Sequence, residues 1–506
     1  MTSDMSSTSD THTAAISEVE VRSIGYIPRS ERFGRPRNQF TLWFGSNLNI
    51  TALITGAAAM LMTNEVLWTI VGLLVGLLFG GTVMALHSVQ GPRLGLPQMI
   101  SSRAQFGVYG ATIPLVLALV MYVGYASVGG VLAGQAVADL THTSHRTGII
   151  IFGLLTALVT IVGYRLIHVM GRANTVIGSI AFVFLTYRML VDVDISDLLA
   201  GSQFSVANFL LAVALAASFQ VTYGPYVADY SRYLPYETSS VKTFTFTLSG
   251  TVLGTMWAMS FGVLAAAAAG PAFRDNEVGS VVAIGGAGLV AALLYFVIAF
   301  GKLTVNVLNC YGGFMCLVTA VSGFRGYREI SPRTRMATIL AIMASATLIG
   351  LYASENFLSS FSSLLLFLLA FFTPWSAINL IDFYCISKER YDVPALSDPN
   401  GRYGKWNTIA IVSYFLGLLV QIPFLYTTLY TGPMVEILGG TDVSWIVGLI
   451  VPGIVYYVWS RRSTPLYPGR NILPDDDIYS GVTHPEHSTL ATVVPTDRPS
   501  GESSHR

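Results

Sequence analysis

From Phe40 to Tyr457 the chain repeats one pattern: a long apolar stretch, a short polar connection, then another apolar stretch. Twelve such spans can be drawn, at about 40–63, 66–87, 109–135, 147–168, 173–191, 205–226, 243–270, 287–321, 336–353, 357–384, 407–430 and 443–460. A helix needs roughly 20 apolar residues to cross the hydrocarbon core of a bilayer. The runs are too long, and alternate too little, for the strands of a membrane barrel. Only 11% of the 506 residues are charged, against about 25% in an average soluble protein, which excludes an ordinary set of soluble domains. The 53% hydrophobic content excludes a disordered chain. The expected fold is an all-α polytopic membrane protein with 12 transmembrane helices, held in the lipid bilayer of the cell membrane.

The charges that remain set the orientation. Arg35, Arg37, Arg93, Arg103, Arg232, Arg325, Arg333, Arg335, Lys388, Arg390 and Arg461 fall at the ends or in connections after even-numbered spans. Connections after odd-numbered spans carry mainly acids, such as Glu65, Asp139, Asp192, Glu277 and Glu355. Basic residues stay on the cytoplasmic side, so both termini are expected there. Residues 1–39, polar and rich in Ser and Thr, read as a disordered segment without a cleavable signal. Residues 461–506, rich in Pro, Ser, Asp and Thr, read as a disordered tail. The 28 basic and 28 acidic residues balance, which argues against a nucleic-acid partner. Cys310, Cys316 and Cys385 form no CxxC pair, and no metal site or cofactor is expected.

Function is sought where polar groups enter the apolar spans, because an unpartnered polar group there costs several kcal/mol. The first span contains Gly45-Ser46-Asn47-Leu48-Asn49-Ile50-Thr51. The sixth contains Ser218-Phe219-Gln220-Val221-Thr222-Tyr223-Gly224-Pro225-Tyr226, where the Gly-Pro step is expected to break the helix. The eighth contains Lys302, Thr304, Asn306 and Asn309. An isolated Asn or Thr often only bonds a neighbouring helix, but three clusters on three spans point to the lining of a central site. Interrupted helices at matching positions of two halves are the mark of inverted-repeat transporters. Lys302 lies too deep in its span for easy snorkelling, and a lysine there is usually functional. Its possible acidic partners, Asp229 and Asp382, sit at cytoplasmic span ends and look like loop anchors.

Trp43, Phe44, Tyr122, Tyr125, Phe219, Tyr223 and Tyr226 gather near these clusters. Aromatics in membrane helices are mostly packing or interface belt. Beside amides they suit a planar nitrogen heterocycle, whose faces stack and whose rim alternates donors and acceptors. No HExxH, GxSxG or P-loop pattern supports an enzyme, and no large extramembrane domain supports a receptor. Broken helices favour a carrier over a channel.

Three motifs resemble the nucleobase–cation symporter family, in its purine–cytosine permease branch. They are Asn38-Gln39-Phe40-Thr41-Leu42-Trp43-Phe44-Gly45-Ser46-Asn47-Leu48-Asn49, Ala228-Asp229-Tyr230-Ser231-Arg232-Tyr233-Leu234-Pro235, and the run from Thr373-Pro374-Trp375 to Asp382-Phe383-Tyr384 with Arg390-Tyr391-Asp392 and Gly401-Arg402-Tyr403 after it. The resemblance implies a LeuT-type fold of two inverted five-helix repeats, residues 40–191 and 205–384, plus two C-terminal helices over 407–460. It implies alternating access around a midplane site and a small-molecule nucleobase as substrate, with a monomer expected. By motif position the substrate contacts fall on Asn49, Tyr122 (or Tyr125), Phe219, Gln220, Asn309 and, one turn before it, Asn306. The cation site falls on the Gly45 and Leu48 carbonyls and on Thr304, but Leu303 takes the place of a second hydroxyl. Lys302 is its neighbour and can stand in for the ion, or load and release a proton. The resemblance implies nucleobase import by cation symport; the departure at Leu303, with Lys302 beside it, favours H+ as the ion, with Na+ as the alternative. Allantoin, a hydantoin or uracil are the alternative substrates; cationic thiamine is disfavoured because the lining has no acid.

Overall fold

The computed structural model describes residues 25–162, 164–326, 330–427, 430–463 and 467–476, with only the backbone described between 162 and 173. Apolar sequence without a second pattern folds as helix, since only a helix satisfies its own backbone within one segment. The first span is two helices, α1 (Arg37–Asn47) and α2 (Ile50–Thr63), bent by 60°. Next come α3 (Leu67–Ser88) and two short helices, α4 (Gln90–Leu94) and α5 (Gln98–Phe106). The third to fifth spans are α6 (Thr112–Thr141), α7 (His145–Val162) and α8 (Tyr164–Asp192). The sixth is again a pair, α9 (Val206–Val221) and α10 (Gly224–Ser231), bent by 40°. Then follow α11 (Ser240–Ala269), α12 (Glu277–Gly285), α13 (Leu289–Arg325), α14 (Pro332–Ala353) and α15 (Phe357–Ile381). The last two are α16 (Thr408–Leu419) and α17 (Ser444–Arg462). Among the described residues six helical stretches are long and apolar enough to cross a membrane, and eight with each bent pair taken as one span.

Several boundaries differ from expectation for local reasons. The bend in the sixth span falls at Thr222–Tyr223, before the Gly-Pro step, and Pro225 instead opens α10. Proline is tolerated in a first turn because its missing N–H has no helical acceptor there. The span expected over 407–430 ends as α-helix at Leu419, and Pro423 lies in a short 3-10 turn beyond it. Helix α12 lies between the seventh and eighth spans and was not anticipated from the sequence.

The helices pack as two bodies. In one, α11 lies along α1, α2 and α3, and α9 lies along α3. Glycines bring these backbones together: a Cβ on Gly254 would stand 2.5 Å from the Phe44 carbonyl oxygen, and one on Gly80 would stand 2.6 Å from that of Ala217. In the other body α6 is the axis, packed by α13, α7 and α14. Close approach by small residues is the usual way membrane helices associate, because lipid offers no hydrophobic drive between them.

The ends of the described chain meet on the side of α4 and α5. Tyr26 donates to Asp475 at 2.7 Å, and Arg29 pairs with Asp476 at 2.7 Å. Asn471 receives the Tyr391 amide at 3.1 Å and donates to the Arg93 carbonyl at 3.1 Å. Leu473 is fully buried. Residues 467–476 are thus packed against the fold, unlike the disordered tail expected over 461–506; the polar composition there serves hydrogen bonds to loops. Residues 1–24 and 477–506 of the two expected tails lie outside the described residues.

Candidate substrate and cation site

Asn49 makes the first break. Its backbone is extended, and its side-chain oxygen accepts from the Thr51 and Ala52 amides at 2.8 and 3.2 Å, which caps α2. Its amide nitrogen donates to the Ser46 carbonyl at 2.7 Å. Gly45 and Leu48 belong to the same turn, where the Leu48 amide donates to the Gly45 carbonyl at 3.2 Å. Lys302 of α13 reaches the first turn of α2 from the other body. Its ammonium donates to the Thr51 hydroxyl, its one hydrogen-bond partner among the described residues. Lys302 is 4% exposed and forms no ion pair among the described residues. The Thr304 hydroxyl turns back to the Phe300 carbonyl of its own helix at 3.2 Å, and Leu303 packs with Ala133, Phe152 and Val307.

The second break is aromatic. The Tyr223 ring stands edge-on to Trp43 of α1 (5.4 Å between centroids) and to Phe219 (5.6 Å), and tilted against Tyr226 (5.5 Å). Trp43 also meets Tyr230 at 5.4 Å. From the second body Tyr122 faces Tyr226 at 5.7 Å and 34°, and the Tyr125 hydroxyl bonds that of Thr222 at 2.9 Å. Six rings from α1, α9, the turn after it, α10 and α6 are therefore linked by ring contacts. None of these groups carries charge, so the region offers faces and hydroxyls to a flat neutral ligand.

The anticipated residues divide in two. Tyr122, Tyr125 and Phe219 join the aromatic cluster. Asn309 is half-buried and makes no hydrogen bond to a described residue, which leaves its amide available. Gln220 is fully buried against α11, accepting from Thr251 and donating to Thr255 at 2.7 Å each. Asn306 donates to the Ala126 carbonyl at 2.8 Å over Gly129, while its oxygen is buried without a partner. Asn49 is occupied as the cap. In this conformation these three amides hold helices together. Asp229 accepts the Gln98 amide at 2.8 Å, and Asp382 accepts from Tyr391 and Tyr456 at 2.7 Å each, so both anchor loops.

Thr51 and Thr222 were within the polar runs but not singled out. A buried polar chain also lies outside the residues expected from sequence. His87 stacks on Trp375 at 4.7 Å and 8° and bonds Ser376 at 3.2 Å. Gln90 donates to Asn379 at 2.7 Å, and Asn379 donates to Gln105 at 3.1 Å. Gln105 in turn donates to Asp382 at 3.0 Å. The signal was present: one His and three Gln between residues 87 and 105, beside an apolar helix.

Two packed bodies and paired helix breaks are features that membrane transporters share. The same fold is found in the inward-facing conformation of Mhp1 (TM-score 0.72, 18% identity, covering 88% of this chain and 95% of that one). It recurs in Mhp1 in a closed conformation with bromovinylhydantoin bound (TM-score 0.68, 18% identity, 88% and 97%). Residues 26–448 match the family described as permeases for cytosine/purines, uracil, thiamine and allantoin. The chain is 37% identical to the "putative purine-cytosine permease YxlA" of Bacillus subtilis, over 87% of this chain and 96% of the relative. It is 23% identical to the purine-cytosine permease fcyB of Emericella nidulans, over 88% of each. The chain belongs to that permease family, the nucleobase–cation symporters. It is a multi-pass membrane transporter of LeuT-like fold and not an enzyme.

Proposed function

We propose that this permease imports nucleobases, cytosine or purines foremost, by proton symport. The observation that carries the reading is the pairing of an aromatic cluster at one helix break with a buried lysine at the other. Tyr122 and Tyr226 supply faces for a planar base, and Asn309 supplies an amide for its rim. Lys302 puts an ammonium on Thr51, three residues after Leu48, where a sodium ion bound nearby would meet a like charge. A proton carried by Lys302 supplies the same charge without a metal ion. The names of the relatives, purine-cytosine permeases in a bacterium and a fungus, favour these substrates. In this reading the chain crosses the membrane twelve times as a 5+5 inverted repeat with two added helices, both termini cytoplasmic, and acts as a monomer.

A carrier of allantoin or a hydantoin is the second reading, favoured by the hydantoin in the closed Mhp1 structure and by 21% identity to the allantoin permease of Bacillus subtilis. One experiment separates these: uptake of labelled cytosine, hypoxanthine, uracil and allantoin in cells lacking their own carriers, with sodium removed or a protonophore added. Cytosine or hypoxanthine uptake is expected to survive sodium removal and to collapse with the protonophore. Strict sodium dependence rejects proton coupling, and uptake of allantoin alone rejects the nucleobase.

A further inference from the structure

A groove of about 640 Å³ opens on the outer surface of the second body, between α6, α13 and α14. Small-molecule pockets run to roughly 300–1,000 Å³, so it is large enough for a specific occupant. Its walls are mostly apolar and small: Leu119 and Val123 from α6, Leu317 from α13, and Ala337, Ala341 and Ile342 from α14, with Thr338 among them. One end differs. Arg333 lines it, in the first turn of α14. Arg335 lies two residues on, and Arg325 ends α13 across the connection. None of the three arginines forms an ion pair with a described residue.

The dimensions match one leaflet. Thr334 and Ser345, at the two ends of the α14 wall, are separated by about 16 Å at 1.5 Å per helical residue. Half of a roughly 30 Å hydrocarbon core is about 15 Å. A groove that is cationic at the membrane surface and mostly apolar for the depth of one leaflet has the chemistry of a phospholipid, headgroup to tail. We infer that it holds an anionic phospholipid, its phosphate on Arg333 and one acyl chain along Ala337 and Ala341. Under the orientation proposed above, the arginines face the cytoplasm and the lipid comes from that leaflet. Basic pockets between helices on that face commonly take anionic headgroups. The floor has a further neighbour. Leu119 and Ile342 both abut Gly313, and the adjacent Gly312 faces the Tyr122 ring. The lipid chain therefore lies one layer behind an aromatic of the proposed substrate site.

The test is native mass spectrometry of the purified full-length protein, titrated with phosphatidylglycerol or with phosphatidylcholine of the same chains. Wild type is expected to retain phosphatidylglycerol preferentially. Arg333→Gln with Arg335→Gln should lose that preference, by about fivefold per arginine if each contributes as basic residues do at an anionic surface. Ala341→Phe fills the exposed groove without touching the arginines and should lose the adduct as well; phosphate binding alone would survive that change. Equal retention of the two lipids, adducts that persist in both variants, or a protein dimer in place of lipid adducts overturns the proposal. Because the measurement needs no uptake, a failed transport assay leaves it standing, and a failed lipid assay leaves the transport reading standing.

Discussion

The break in the first span is polar and meets a cation; the break in the sixth is aromatic and meets hydroxyls. Asn49 holds the first open by capping α2, and Lys302 docks on Thr51 from the opposing body. The second is held by Tyr223 among other rings, with Tyr125 bonding Thr222 across the bodies. Both cross-body contacts thus fall within a few residues of a bend. The difference suggests a division of labour, with charge handled at one break and shape at the other. Binding and coupling can then be disturbed separately.

The strongest test of that division is Lys302→Met, which keeps the bulk and removes the charge. Concentrative uptake in proteoliposomes is expected to disappear while substrate exchange without a gradient persists. Normal accumulation by this variant would show that the polar break does not carry coupling. The next effect belongs to the aromatic break. Tyr226→Ala should weaken base binding by about 1–3 kcal/mol, the usual worth of one stacking ring, which is roughly 5- to 150-fold. A scintillation-proximity titration would measure it, and the ion dependence should stay as in wild type. A shift in ion dependence instead would mean that the two breaks share one task. The smallest effects contrast two amides. Asn309→Ala should cost substrate affinity about 1 kcal/mol, the net worth of one hydrogen bond, with thermal stability unchanged. Asn49→Ala should cost stability by about 0.5–2 kcal/mol through the lost cap. If Asn309→Ala reaches the membrane and binds normally, its amide does not read the substrate.

These contrasts were only half legible in the sequence. The spans and the polar runs could be read because they are local, but Asn49, expected to meet the substrate, instead caps α2. Which way each side chain faces could not. Phe219 and Gln220 are adjacent, yet successive helical residues point about 100° apart. The ring therefore joins the aromatic cluster while the amide turns to Thr251 and Thr255. In a soluble helix the polar face would have given the rotation away. Here lipid and protein interior are equally apolar, so the pattern is silent. Asn306 shows the same limit, since Ala126, whose carbonyl accepts its amide, is 180 positions earlier in the chain.

The strap formed by residues 467–476 sets practical limits on where this chain can be cut. A reporter fused directly after Arg462, at the end of the last long helix, would remove Tyr467, Asn471, Leu473 and the two acids that hold Tyr26 and Arg29. It would also leave Asp382 short of one of its phenol donors and expose the Leu473 seat between Leu94, Tyr391 and their neighbours. The usable junction lies beyond Asp476. The chain ends that look most expendable on a hydropathy plot are, on this face, part of the lock that holds two loops together.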